Sequence, residues 1–315
     1  MQRLQLIKKW VLATFILTIL VIIAGGVVRT TQSGMGCPDW PRCFGRWIPP
    51  MNAAQLPPDF EKYLKVQDID HSFNVYHTWI EYLNRLLGAL LGLFALIQLA
   101  LIYNLRKEAA NAYRLALAFL AVVMLTGLFG ALVVKLNLAH FSITVHLFFA
   151  LLLTQLELAL YMTVTGKLYR KTTGTKIRKI LLLLLVLILI QSVLGTMVRM
   201  YVDEISRTLH YEQREAWLAD SPVALLFHRS FSWLVLSAVL FATWYSKRVP
   251  AIKKFMHRLT GIILLSMTTG IVLYYLDMPA MAQPLHLLLA TLAVTQIIFL
   301  LLFTRNTTDL MNKVK

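Results

Sequence analysis

Cysteine is nearly absent from this chain. Two residues, Cys37 and Cys43, stand among 315, and two are too few for a structural zinc site, which normally takes four ligands. Both fall in the segment after the first apolar run. On the outer side of a membrane, an oxidising compartment, a disulfide between them is physically reasonable. Acidic residues are scarce as well: 15 Asp and Glu face 31 Lys and Arg, for a formal charge of +16. Such an excess suits a nucleic-acid binder, but the placement of the charges excludes that reading, as shown below. No Arg- and Ser-rich presequence precedes the first apolar run, which favours a bacterial plasma membrane over an organelle.

What the chain has in quantity is apolar length. Hydrophobic residues make up 58% and mean hydropathy is +0.66. A span of roughly 17–25 apolar residues crosses the hydrocarbon layer, and eight are present: Trp10–Val28, Trp79–Tyr103, Ala112–Val134, Ile143–Val164, Ile180–Val198, Val223–Tyr245, Leu259–Leu276 and Leu285–Phe303. Helix is the expected state, because backbone groups in lipid must be satisfied within their own segment. With the N-terminus inside, twenty of the Lys and Arg fall at inner positions, among them Arg3, Lys8, Lys9, Lys176, Arg178, Lys253 and Lys254. Twelve of the 15 acids lie on or near the outer side, the exceptions being Glu108, Glu157 and Asp309. This is the positive-inside pattern, and it predicts both termini in the cytoplasm. The basic balance is therefore topogenic, and no nucleic-acid partner is expected; the lipid bilayer is the partner. The first run resembles a signal peptide in its basic start, but it is long for one and has a counterpart at the fifth run, so a retained helix is expected.

The chain repeats itself. Gly25-x-x-x-Arg29 at the end of helix one returns as Gly195-x-x-x-Arg199 at the end of helix five. Asn84-Arg85 near the start of helix two matches His228-Arg229 near the start of helix six. Gly130 and His146-Leu147 match Gly270 and His286-Leu287 at the same internal spacing. The offsets are 170, 144 and 140 residues, so the first outer loop is 26 residues longer than its counterpart and contains the cysteines. The expected fold is an all-α integral membrane protein of eight transmembrane helices, arranged as two pseudo-twofold-related four-helix bundles. The expected halves are residues 1–166 and 167–315.

His228 and His286 lie a few residues into helices six and eight, both of which run inward from the outer face. At similar depth on neighbouring helices, two imidazoles can ligate one haem iron from opposite sides; the bland alternative is hydrogen bonding across helices. No carboxylate or thiolate lies within one turn of either, which disfavours other metals. In the first half the corresponding positions are Asn84 and His146, and Glu81 stands one turn before Asn84 on the same face, where the second half has Leu225. An ionisable group inside the membrane defaults to a functional role, so Glu81 is read as a group that accepts or relays protons, with pairing to Arg85 as the alternative. The asymmetry suggests that a saturated iron in the second half stores and passes electrons, while the first half binds a molecule that reacts. Arg29, Arg199, Arg85 and Arg229 suit either haem propionates or interfacial snorkelling. His77, two turns before Asn84, is a candidate substitute ligand or proton route; His71, His140, His210 and His257 read as loop or interface residues.

At these residues the chain resembles the haem A synthase family, over nearly its whole length. The likeness rests on Gly25-Gly26-Val27-Val28-Arg29-Thr30, on Ser33-Gly34-Met35-Gly36-Cys37-Pro38-Asp39-Trp40-Pro41-Arg42-Cys43, on Glu81-Tyr82-Leu83-Asn84-Arg85, and on Gly130, His146-Leu147, Phe227-His228-Arg229 and Leu285-His286-Leu287. The resemblance implies an oxidoreductase that converts the C8 methyl of haem O to a formyl group for cytochrome oxidase. It implies haem b held by His228 and His286, haem O as substrate at His146 and the Asn84 position, Glu81 as the essential glutamate, and a Cys37–Cys43 disulfide. A haem O synthase as supplier, and quinol or another membrane electron donor, are the implied partners; a homo-oligomer stays open. Family members commonly have histidine where this chain has Asn84. Asparagine is a poor ligand for haem iron, which leaves the substrate iron to His146. The alternatives are a dihaem b-type electron carrier or quinol oxidoreductase that leaves haem unmodified, and a transporter. The ionisable positions cluster near the outer face, whereas transport sites lie near the midplane.

Overall fold

A computed structural model describes residues 2–64, 73–136, 138, 140–166, 175–219 and 222–304. Among the described residues every regular element is helical. Eight helices are long and apolar enough to cross a membrane: α1 (Gln2–Thr30), α2 (Val75–Tyr103), α3 (Ala110–Lys135), α4 (His140–Thr165), α5 (Thr175–Thr208), α6 (Val223–Tyr245), α7 (Pro250–Tyr275) and α8 (Ala282–Phe303). The chain divides into two compact units, Met1–Leu160 and Tyr161–Lys315. The expected boundary at 166/167 runs into residues 167–174, which lie outside the described residues, as does His71.

The second unit shows the packing rule most simply. Ile177, Leu181, Leu184 and Ile188 of α5 repeat the spacing of Ile252, Met256, Leu259 and Ile263 of α7, and all are buried. Steps of four and three keep one face in register at 3.6 residues per turn. Val235, Val239 and Ala242 of α6 and Ala293, Ile297 and Leu300 of α8 complete this core. The outward faces are equally apolar: Leu183, Phe241 and Leu265 are more than half exposed. A helix hydrophobic all round belongs in lipid, not in water.

In the first unit Leu17 of α1, Leu91 and Ala95 of α2, Phe119 of α3 and Leu153 of α4 form the core. Trp10 stacks on Phe94 at 4.6 Å and donates its indole N–H to the Phe94 carbonyl. All of the eight helices but α6 extend beyond their apolar runs, α5 and α7 by nine residues or more at one end. α5 continues ten residues past Val198, supported by an Arg199–Asp203 ion pair at 3.3 Å and by Val202 packing with Trp217 and Met278. α7 begins nine residues before Leu259, with Pro250 in its first turn, where a missing N–H costs nothing.

Candidate functional site

Histidine placement comes first. In the second unit the ring centroids of His228 and His286 lie 6.3 Å apart, with their planes at 72°. A metal–imidazole bond of about 2 Å, plus about 1 Å from each nitrogen to its ring centre, sets two axial rings about 6 Å apart. The observed spacing therefore fits one iron between them. Glycine makes the room. A Cβ on Gly195 would meet His228 Cε1 at 3.1 Å, and one on Gly270 would meet His286 Cε1 at 3.5 Å.

The ring of His286 is oriented by α7. Thr269 Oγ1 donates its one proton to the Ser266 carbonyl at 2.8 Å and lies 2.9 Å from His286 Nδ1. With its proton committed, the hydroxyl accepts from Nδ1–H, and this tautomer leaves Nε2 as the lone-pair nitrogen. That is the arrangement in which an outer partner fixes a metal-ligating histidine. On the other helix, Gln191 Nε2 donates to the His228 carbonyl at 3.1 Å and lies 3.5 Å from His228 Nε2. His228 Nδ1 is buried without a partner among the described residues.

The first unit repeats half of this. A Cβ on Gly130 would meet His146 Cε1 at 3.5 Å, the same distance as at Gly270 and His286. Gly25, the repeat counterpart of Gly195, has nothing within 4 Å. Asn84 Oδ1 and His146 Nδ1 are both buried without partners among the described residues. One imidazole and one carboxamide are thus left able to meet a bound molecule.

Glu81 lies one turn from Asn84 and is only 4% exposed. Both of its oxygens are engaged. Oε1 takes Nε and Nη2 of Arg85, and Oε2 accepts the Cys37 amide at 2.7 Å. Arg85 also donates to the carbonyls of Cys37, Asp39 and Arg42. The pairing of Glu81 with Arg85, the alternative to a chemical role, is present, and it serves more than the helix: it ties the cysteine loop down. Cys37 and Cys43 form a disulfide. Asp39 closes the same loop by accepting the amides of Phe44 and Gly45. Gly36 presses so closely on the first turn of α2 that a Cβ would lie 2.2 Å from the His77 carbonyl oxygen, and Thr78 donates to the Gly36 carbonyl at 2.9 Å. Glycine is the residue that permits this approach.

Sequence reasoning missed Gln191 and Thr269, which no motif marks, and left Glu157 unassigned. The arginines have protein partners: Arg85 and Arg199 as described, and Arg229 over the Tyr274 ring at 5.8 Å. His77 lies in the first turn of α2, His210 in the turn after α5, and His257 is exposed and bonded to the Lys253 carbonyl. The side chain of His140 lies outside the described residues.

Residues 8–298 match a family model described as cytochrome oxidase assembly protein. Among curated relatives, the heme A synthase of Ehrlichia canis is 23% identical over 309 residues, covering 89% of this chain and 88% of that protein. The heme A synthase of Bartonella bacilliformis is 26% identical over 286 residues, covering 79% and 78%. That of Orientia tsutsugamushi is 28% identical over 144 residues, and the match spans only 40% of its length.

Proposed function

The chain belongs to the cytochrome oxidase assembly protein family, and we propose that it acts there as a haem A synthase, oxidising the C8 methyl of haem O to a formyl group. The observation that carries this reading is the pairing of two neighbouring histidines in one unit with a single histidine, an asparagine and a buried glutamate in the other. One unit is built to saturate an iron, and the other is built to leave a bound molecule reactive.

His228 and His286 hold haem b, which supplies reversible one-electron chemistry when bound. Gly195 and Gly270 leave space for the rings, and Thr269 sets the tautomer of His286. In the first unit His146 binds the substrate, haem O, through its iron, and Asn84, whose Oδ1 is likewise buried without a partner among the described residues, does not ligate it. Glu81, fixed by Arg85 and the Cys37 amide, stands one turn from Asn84 and accepts or relays protons during methyl oxidation. The disulfide loop keeps that carboxylate in place. Dioxygen is the oxidant: two successive hydroxylations and loss of water give the formyl group. Quinol or another membrane donor supplies the electrons that reduce the second oxygen atom of each dioxygen to water, and a haem O synthase supplies the substrate. The protein lies in a bacterial plasma membrane with both termini in the cytoplasm, the Lys and Arg bias supporting that orientation. Residues 1–166 form the substrate half and 167–315 the haem b half.

The test is co-expression with a source of haem O, followed by chromatography of extracted haems. Formyl haem is expected with the native chain and is lost with Glu81→Ala. Haem that is bound and reducible but never converted, even by the native chain, would favour a dihaem electron carrier instead. Purified protein without any haem absorbance would overturn both readings.

A further inference from the structure

The first unit contains a second buried polar pair, far from Glu81. Glu157 on α4 and Gln98 on α2 are 0% and 1% exposed, and Gln98 Nε2 donates to Glu157 Oε2 at 3.0 Å. The two remaining oxygens, Glu157 Oε1 and Gln98 Oε1, are enclosed and have no partner among the described residues. Glu157 follows His146 by eleven residues on α4, about 16 Å along the helix, and Gln98 follows Glu81 by seventeen on α2, about 25 Å. The pair therefore lies toward the inner side and belongs to neither histidine site.

Donor and acceptor counting decides its state. A carboxylate only accepts, and so does an amide oxygen. An ionised Glu157 leaves two buried acceptors facing no donor. One proton resolves this: the acid O–H donates to Gln98 Oε1 while the amide N–H donates to the other acid oxygen, closing a ring of two hydrogen bonds. No other group competes for that role. The apolar core of the same unit draws Leu17 from α1, Leu91 and Ala95 from α2, Phe119 from α3, and Leu153 with Leu156 from α4. The buried hydroxyls of Thr14, Thr18 and Thr154 donate to carbonyls of their own helices. A metal ion is the wrong ligand, since no cluster of three His, Cys, Asp or Glu exists among the described residues.

Packing does not demand the pair either. At the repeat offsets of 144 and 140, the second half has Ala242 and Ile297, both buried in its apolar core. The second half fills these two positions with apolar side chains, and an ionisable residue kept inside a membrane marks a proton or ion function by default. We propose that Glu157 is a proton-binding site of the first unit, carrying one exchangeable proton between its Oε1 and Gln98 Oε1.

Infrared spectroscopy of the full-length chain at neutral pH tests this without reference to haem chemistry. A protonated-carboxyl C=O band is expected in the native chain, absent in Glu157→Gln, retained in Glu81→Gln and shifted to lower frequency by transfer into D2O. Gln98→Leu should move the band to higher frequency without removing it. That variant keeps Glu157, so it tests the pairing even if Glu157→Gln fails to accumulate. A carboxylate signature for Glu157, a band blind to Gln98→Leu, or a band that does not respond to D2O would each overturn the proposal.

Discussion

The two halves share a helix plan and place their polar groups differently. Around His228 and His286 the second half sets Gln191 and Thr269; at the repeat offsets the first half has Val21 and Phe129. Deeper in, the first half buries Thr14, Thr18, Gln98 and Glu157, where the second has Leu184, Ile188, Ala242 and Ile297. Near the N-terminal end of α2 and of its counterpart α6, Glu81 stands for Leu225 and Asn84 for His228. A handful of substitutions on one scaffold thus separates a half with two imidazoles 6.3 Å apart from a half with one imidazole, a carboxamide and two buried acids. Buried polar groups that are fully paired rigidify, while those left unpaired are costly and persist where they are used.

The largest effects should come from attacking each half at its centre. His228→Ala is expected to abolish b-type absorbance. Glu81→Ala should keep that absorbance yet lower formyl haem yield by about 100-fold or more, the range of a lost proton-transfer group. Chromatography and visible spectra on the same preparations read both. If Glu81→Ala also empties the second half, the division between halves fails. Asn84→His attacks the difference directly: it should add a bis-histidine, low-spin signature in the first half and slow turnover several-fold. Unchanged spectra would mean that His146 and residue 84 do not face one iron.

Glycines offer a gentler comparison. Gly195→Ala puts a methyl 3.1 Å from His228 Cε1, so the ring must shift, and weaker retention of b-type haem is expected. Gly25→Ala, at the repeat-equivalent place, meets nothing within 4 Å and should leave haem content unchanged. Equal effects at both would mean that the rings are not what the glycines accommodate. Smaller again is the disulfide. Replacing Cys37 and Cys43 with serine opens a bridge of sequence separation 6, and short loops of this kind are worth about 2 kcal/mol. A lower melting temperature and lower yield should outweigh any change in turnover per folded molecule, because Arg85 still holds the loop carbonyls; a reversal would assign the cysteines to redox chemistry.

How much of this could be read from residues alone follows from the range of the interactions. The eight spans were legible because apolar length is local, and their ends were not where amphipathic turns extend them. Residues 199–208 of α5 show no apolar run, and their support comes from Trp217 and Met278, whose proximity only the folded chain reveals. The closeness of His228 and His286 was legible in their similar depth on two helices that both run inward. The engagement of Glu81 by the Cys37 amide was not, since 44 residues separate them. Glu157 stood out as an intramembrane acid, but its reading needed the partner on another helix.

The finest test of the comparison is the partner of His286. Thr269→Val keeps the shape of the side chain and removes the oxygen that takes the Nδ1–H. Loss of an outer partner typically costs 10–100-fold in metal affinity, and the lower end, about tenfold weaker haem retention with a shifted reduction midpoint, is expected here because His228 still contributes. Phe129→Thr in the first half should supply the hydroxyl that His146 lacks, since His146 Nδ1 has no partner among the described residues. If orientation of the ring is what distinguishes the halves, the two substitutions should move the spectra of their respective sites in opposite directions. Should Thr269→Val change nothing in redox titration, the ring of His286 is held by Gly270 and the surrounding helices alone, and the polar partner is incidental.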